Sequence, residues 1–145
     1  MSVQSNSRIT DISKLIPQRP PIQMIDSFVY DGGNECGTEL LVSEDNIFVT
    51  DGCLASEGIL EHIAQSAAAF LGYKRVLDGL GIALGFIGDI RKCRFSDISA
   101  KPGDTLQTNL KIVSVIGNIT MISATVCVSG EQIVTCSMKL ALEED

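Results

Sequence analysis

Strict alternation of apolar and polar side chains near the C-terminal end of the chain restricts its fold more than any other feature. From Val134 to Leu142 every second residue is apolar, with Thr135, Ser137 and Lys139 between them. A period of two is typical of a strand that buries one face and leaves the other accessible. This part of the chain therefore predicts a sheet with one side against a core.

Two-residue turn signals divide the same region into three strands. Gly117-Asn118 and Ser129-Gly130 predict an antiparallel meander over residues 105–116, 119–128 and 131–142. Further strands are predicted at 24–30, 36–42 and 83–95, with a short extended piece at 47–50. The first two should form a hairpin around the turn at 31–34. About six strands and one long helix follow from this pattern.

The helix is predicted over residues 58–74, GILEHIAQSAAAFLGYK, where Glu61 is the single acidic residue. A bulky stripe should pack on the sheet, namely Ile59, Leu60, Ile63, Ala64, Ala67, Phe70 and Leu71. The opposite face carries Glu61, His62, Gln65, Ser66 and Gly72. One interpretation is a solvated polar face. The other is a covered face, because charges are missing and the small residues Ala68, Ala69 and Gly72 admit a backbone or a ligand.

Composition excludes several classes of function. The 145 residues fit one domain, 1–145, whose first 13 residues are polar and expected to be loosely held. A net charge of −7 argues against nucleic acid and anionic membranes. No segment has the length of a membrane span, and the five cysteines lack zinc-like spacing, so they are interpreted as reduced core thiols. We expect a soluble, cytoplasmic protein with no metal.

Few common catalytic motifs are present. The glycines between Gly79 and Gly85 have the wrong spacing for a dinucleotide loop, so no cofactor is predicted. His62 is the single histidine, and its side chain should diverge from that of Glu61 by about 100° of helix. We interpret it as structural. Arg91, Lys92 and Arg94 form a basic run, either a solvated strand face or a docking patch for an acidic partner.

Three blocks of sequence together resemble the hotdog-fold family that includes the 3-hydroxyacyl-acyl carrier protein dehydratases. Residues 16–26, IPQRPPIQMID, are similar to the family's L-P-H-R-x-P-x-L-L-V-D segment. Residues 60–65, LEHIAQ, resemble its helix motif, in which an acidic residue precedes A-x-A-Q. Residues 88–95 and the KPGD of 101–104 resemble its strand ending in R-F and its P-G-D turn. Dehydratase-related proteins of polyene pigment pathways show the greatest likeness around the loop at 48–54.

The resemblance implies an α+β hotdog fold, with a long central helix wrapped by a curved antiparallel sheet. It implies a dimer with the site at the interface and a substrate linked to acyl carrier protein or coenzyme A. Glu61 would protonate the departing hydroxyl, and Gln65, Ala55, Ser56 and Gly88 would contact substrate, with helix N-terminal amides at the thioester carbonyl. Arg91, Lys92 and Arg94 would dock the carrier.

One position departs from the family pattern. Gln18 stands where the family has a histidine, and an amide cannot act as a base near neutral pH. Three functions therefore remain open. The chain could be a dehydratase in which Glu61 is the acid/base group and Gln18 only orients the substrate. It could be a non-catalytic or half-site subunit that pairs with a complete dehydratase in a heterodimer. It could also be a thioesterase in which Glu61 activates water and Gln18 positions the water or the carbonyl.

Overall fold

A seven-stranded antiparallel sheet packs against one long helix in the computed structural model, which describes residues 7–82 and 85–142, the side chains of residues 85–87 excepted. The elements are β1 (Arg8–Ile9), β2 (Ser27–Gly32), β3 (Glu35–Leu41), β4 (Val49–Thr50), β5 (Cys53–Leu54), α1 (Ser56–Leu77), β6 (Gly85–Phe95), β7 (Thr105–Ile116), β8 (Ile119–Val128) and β9 (Glu131–Leu142). A short 3-10 helix spans Ile12–Lys14. The predicted α+β architecture is confirmed.

The sheet has the strand order β1-β2-β3-β7-β8-β9-β6. β2 and β3 form the predicted hairpin, and β7, β8 and β9 form the predicted meander with the predicted bounds. β4 and β5 make a separate two-stranded ribbon around Asp51 and Gly52, which have positive φ angles of 54° and 79°. This ribbon leads directly into α1. Residues 83 and 84, the first two of the predicted strand 83–95, lie outside the described residues.

Alternation along the meander places the core on one face of the sheet. Leu106, Leu110 and Ile122 are fully or almost fully buried, whereas Gln107 and Asn109 between them are exposed. The inner face packs on α1, where Ile63, Ala67 and Phe70 are fully buried. No helix among the described residues is both long enough and apolar enough to cross a bilayer.

Helix α1 is longer than predicted and is covered on more of its surface. It begins two residues earlier, at Ser56, and ends three residues later, at Leu77. The interpretation of a solvated polar face is wrong, because His62, Gln65 and Ser66 are at most 1% exposed. Their partners are hydroxyls of the sheet and the backbone near residue 24. Of the bulky stripe, Leu60 is half-buried and the other six residues are buried.

The N-terminal segment lies across the far end of α1. Ile12 and Leu15 join the core, and β1 forms the edge of the sheet beside β2. A Cβ atom on Gly72 would lie 2.1 Å from the carbonyl oxygen of Leu15. The expectation that a small residue on α1 admits another backbone is confirmed there. The segment that covers Gly72 belongs to the same molecule.

All five cysteines are free thiols, as predicted. Cys36 and Cys136 are buried, and burial raises the pKa of both thiols. The other three are half-buried, so the description as core thiols holds for two of the five.

Candidate functional site

Gln65 connects Glu61 to the loop that precedes β2. Its Nε2 donates to Oε2 of Glu61 at 2.7 Å and to the carbonyl of Ile22 at 2.9 Å. Its Oε1 accepts the backbone N–H of Met24 at 2.6 Å. Glu61 is half-buried, whereas Gln65 is 1% exposed, so a fixed amide orients a carboxylate that reaches the surface. We call Glu61, Gln65 and these two backbone groups the Glu61 site.

The side chain of His62 diverges from that of Glu61, as predicted from their adjacent positions on the helix. Its Nδ1 is 2.7 Å from the carbonyl oxygen of Met24, and its Nε2 is 2.7 Å from Oγ1 of Thr108. A carbonyl can only accept, so Nδ1 carries the proton and Nε2 accepts from the threonine hydroxyl. Burial lowers the pKa of the imidazole from 6.5 to about 4. The ring is therefore neutral at physiological pH.

Ser66 extends this polar contact to β3. Its hydroxyl donates to the carbonyl of His62 at 2.7 Å and lies 2.7 Å from Oγ1 of Thr38. Thr38 and Thr108 are paired across β3 and β7 on the inner face of the sheet. These two threonines are not among the predicted site residues. Their inward position in the alternating pattern was the available signal.

Gln18 differs from Gln65 in its contacts. Its Oε1 is buried but has no hydrogen-bond partner among residues 7–82 and 85–142. Its backbone is fixed by the guanidinium of Arg19, which donates to the carbonyls of Ile16, Gln18 and Ser13. Gln18 thus lies on a turn that the hydrogen bonds of Arg19 hold in place, and we call residues 18–22 the braced turn. Gln65 contacts this turn at the carbonyl of Ile22.

The predicted thioester contacts at Ala55 and Ser56 lie at the start of α1. Ala55 is the N-cap residue and provides no side-chain cap. Its own N–H donates to the carbonyl of Phe48. The amide of Gly58 donates to the carbonyl of Ala55, and the first-turn amides carry the positive end of the helix dipole. Glu61 lies about 9 Å further along the axis.

The remaining predicted residues lie on β6, an edge strand. Gly88 is exposed at a bulge, and Lys92, with a φ of 55°, occupies a second one. Arg91 and Arg94 are exposed, and Arg91 forms an ion pair with Asp89. Among the described residues, no hydrogen bond or ion pair joins β6 to the Glu61 site. The structure therefore brings Glu61 and Gln65 together and places the basic residues elsewhere.

A cavity of about 500 Å³ lies outside the Glu61 site, on the outer face of the sheet. Arg8, Glu39, Gln107 and Asn109 are among the side chains that line it, and Glu61, Gln65 and Gln18 are not. The described residues hold no group of three or more potential metal ligands.

Similarity to known proteins agrees with this architecture. A 3-hydroxyacyl-[acyl-carrier-protein] dehydratase FabZ of Staphylococcus saprophyticus is 31% identical over 142 residues, which cover 91% of this chain and 92% of that protein. The dehydratase heterocomplex ApeI:P from Xenorhabdus doucetiae matches with a TM-score of 0.85 at 17% identity, covering 92% of this chain and 91% of that one. Cj0977, a sigma28-regulated virulence protein from Campylobacter jejuni, matches with a TM-score of 0.68 at 14% identity and covers 92% and 88%.

These likenesses confirm the predicted hotdog fold and the predicted kinship with dehydratases. The ApeP-like family, described as ApeP dehydratase, matches residues 10–144. That span includes the braced turn with Gln18, the whole of α1 and the complete meander. The chain therefore belongs to the ApeP-like dehydratase family.

Proposed function

We propose that this chain is the acid-bearing subunit of a 3-hydroxyacyl-thioester dehydratase and acts together with a second hotdog subunit. The observation that carries the proposal is the 2.7 Å hydrogen bond by which buried Gln65 orients the half-buried carboxylate of Glu61. A carboxyl group held in one orientation at the edge of a core is suited to proton transfer.

The reaction removes one molecule of water from the acyl chain. A base takes the proton from C2, the C2–H electron pair becomes the second bond between C2 and C3, and the C3–O bond breaks. Protonated Glu61 gives its proton to the departing hydroxyl, which leaves as water. The first-turn amides after Ala55, including that of Ser56, would hold the thioester oxygen as negative charge develops there. Gly88 is proposed as a further substrate contact.

The second subunit supplies the base. Gln18, which stands at the family's histidine position by resemblance, cannot remove a proton near neutral pH. A dehydratase heterocomplex is known for ApeI:P, whose chain shares this fold. In this chain β6 offers an edge 11 residues long that carries the exposed side chains of Ile90 and Phe95. Such an edge is suited to pairing with another strand.

The proposed substrate is linked to a carrier protein. Arg91, Lys92 and Arg94 are exposed on β6 in a chain of net charge −7, so their local charge is opposite to that of the whole protein. Acyl carrier proteins are acidic, and opposite charges favour encounter and orientation. A cytoplasmic location is part of the same proposal.

Co-expression with a histidine-bearing hotdog homologue tests the assignment. The purified mixture is incubated with 3-hydroxyacyl-carrier protein, and loss of water from the acyl chain is followed by mass spectrometry. We expect a mixed dimer with turnover, and Glu61→Gln in this chain should reduce the rate by about 10²- to 10⁴-fold. Glu131→Gln, which changes an exposed carboxylate on β9, should leave the rate unchanged.

Other outcomes identify the alternatives. Turnover by this chain alone, lost in Glu61→Gln, would mean that it is a complete dehydratase in which Gln18 orients substrate. Release of free thiol without loss of water would mean thioester hydrolysis. A mixed dimer whose rate is unaffected by Glu61→Gln would leave the chain as a non-catalytic partner.

Charge reversal on β6 tests the carrier. Arg94→Glu should raise KM for the carrier-linked substrate and leave KM for a pantetheine thioester of the same acyl group unchanged. Lys111→Glu, on an exposed position of β7, is the matched control. Equal effects of the two reversals would overturn docking at β6.

A further inference from the structure

Two side chains of α1 bind both polar groups of one backbone residue. Gln65 accepts the N–H of Met24 at 2.6 Å, and His62 donates to the carbonyl of Met24 across 2.7 Å. Positions three apart on a helix are neighbours on its surface, so the two contacts act side by side. We call His62 and Gln65 the Met24 clasp. Both side chains are at most 1% exposed, which keeps water from competing for these bonds.

The clasp holds a turn that carries Gln18. The N–H groups of Ile22 and Gln23 both donate to the carbonyl of Arg19. Arg19 in turn fixes the carbonyl of Gln18. A displacement of Met24 would therefore be transmitted through this braced turn towards Gln18.

The same clasp reaches the carboxylate. Gln65 donates both to Ile22 and to Glu61, so its amide fixes the position of the turn relative to the carboxylate of Glu61. His62 supplies the other point of attachment, at the carbonyl of Met24. With one contact missing, the turn would pivot about the other.

We propose that His62 is a positioning residue: by holding the carbonyl of Met24 it fixes the backbone that Gln65 contacts and, through Gln65, the orientation of Glu61. This inference rests on the proposed function, because it concerns the geometry of that reaction. His62 is fully buried and acts through the backbone of Met24, without contact with substrate. Small displacements of reacting groups reduce rates strongly, by as much as about 10²-fold for 1 Å.

The two ring nitrogens permit a matched pair of variants. The amide nitrogen of asparagine occupies approximately the position of Nδ1 in histidine, and that of glutamine approximately the position of Nε2. His62→Asn therefore keeps a donor for Met24 and loses the contact with Thr108. His62→Gln keeps a group near Thr108 and loses the contact with Met24. Thr108→Val removes the second contact from the sheet side.

Kinetics of the dehydration reaction in the mixed dimer distinguish positioning from simple packing. We expect His62→Gln to lower kcat by about 10- to 10²-fold with little change in KM, while His62→Asn and Thr108→Val stay within about twofold of wild type. Tm is measured for all four proteins. Should His62→Gln fold too poorly to assay, His62→Met, which removes both polar contacts, replaces it. Rates that follow Tm alone across the series would overturn the proposal.

Hydrogen exchange separates this inference from the proposed function. His62→Gln should accelerate amide exchange in residues 19–24 and leave β8 unchanged, whether or not substrate is turned over. Unchanged exchange at 19–24 would overturn the clasp. A wild-type protein that shows a protected turn but no turnover with any partner would overturn the proposed function and, with it, the catalytic role given to His62.

Discussion

Gln18 and Gln65 have the same side chain but differ in how the polar atoms of that side chain are hydrogen-bonded. Gln65 makes three hydrogen bonds within the protein, to Glu61, Ile22 and Met24. The amide of Gln18 instead has a buried Oε1 that accepts no hydrogen bond from the described residues. Buried amides are normally paired, so an unpaired one needs an explanation beyond packing. Gln65 is thus satisfied within the fold and orients Glu61, whereas the buried oxygen of Gln18 has no hydrogen-bond partner among the described residues.

The same contrast divides the proposed reaction between two proteins. The acid part of the proposed site is complete in this chain, because the carboxylate of Glu61 and the Gln65 amide that orients it are both present. Position 18 carries an amide, and in our proposal the base comes from the second subunit.

The largest effect on stability is expected for Gln65→Leu. Loss of the amide leaves the N–H of Met24 and the carbonyl of Ile22 without their partner, and each buried group costs about 1 to 3 kcal/mol. The free energy of unfolding in urea should fall by about 2 to 5 kcal/mol. Gln107→Leu, on the exposed face of β7, should change it by less than about 0.5 kcal/mol. Similar losses in both variants would remove the distinction.

Acidic pH should lower the free energy of unfolding through the titration of His62. The folded protein holds the pKa of this ring at about 4, whereas the unfolded chain titrates near 6.5. Between these values the unfolded state binds more protons, so the free energy of unfolding falls as pH decreases, by roughly 3 kcal/mol in total. The measurement is urea unfolding at several pH values between 7 and 4. His62→Asn should lose this part of the pH dependence, and a parallel curve for wild type and variant would contradict it.

Gly72→Ala tests how the segment before Gln18 is anchored. An added Cβ would lie 2.1 Å from the carbonyl oxygen of Leu15, so the backbone must shift. We expect a loss of about 1 to 3 kcal/mol, although alanine is otherwise the better helix former. Gly81→Ala, with open space around the new Cβ, is the control. A stabilised Gly72→Ala protein in thermal unfolding would show that the contact is loose.

The smallest effect is expected for Gln18→Met. Replacing an amide whose buried oxygen is unpaired by an apolar side chain of similar size removes a cost and no bond. The free energy of unfolding should stay within about 1 kcal/mol of wild type or rise. A loss as large as that of Gln65→Leu in the same urea titration would mean that Gln18 is an ordinary part of the core.

Local sequence signals predicted the sheet better than the helix. The turns of the meander were found because Gly117, Ser129 and Gly130 adopt positive φ angles that few residues tolerate. The start of α1 was placed two residues late because Ala55 provides no side-chain cap. Its end was placed three residues early, at Lys74 instead of Leu77. Alternation and turn chemistry are local, so they can be read from the chain directly.

The covered face of α1 could not be predicted in the same way. Its polar residues bond to groups 28 to 46 positions away, such as Thr38, Met24 and Thr108. A helical wheel shows which side chains share a face and contains no information on what lies opposite. Glu61 and Gln65 were identified as site residues by resemblance, and the structure adds the hydrogen bond between them. The orphaned oxygen of Gln18 is visible in the structure alone.

The central claim is that this chain holds a working acid at Glu61 and lacks a base at position 18. The most direct measurement is the rate at which the Gln18→His protein alone dehydrates a 3-hydroxyacyl-carrier thioester, beside wild type and the Gln18→His/Glu61→Gln double variant. We predict a gain of about 10²- to 10⁴-fold over wild type that the second substitution removes. Equal rates for wild type and Gln18→His, or a gain that survives Glu61→Gln, would contradict the account.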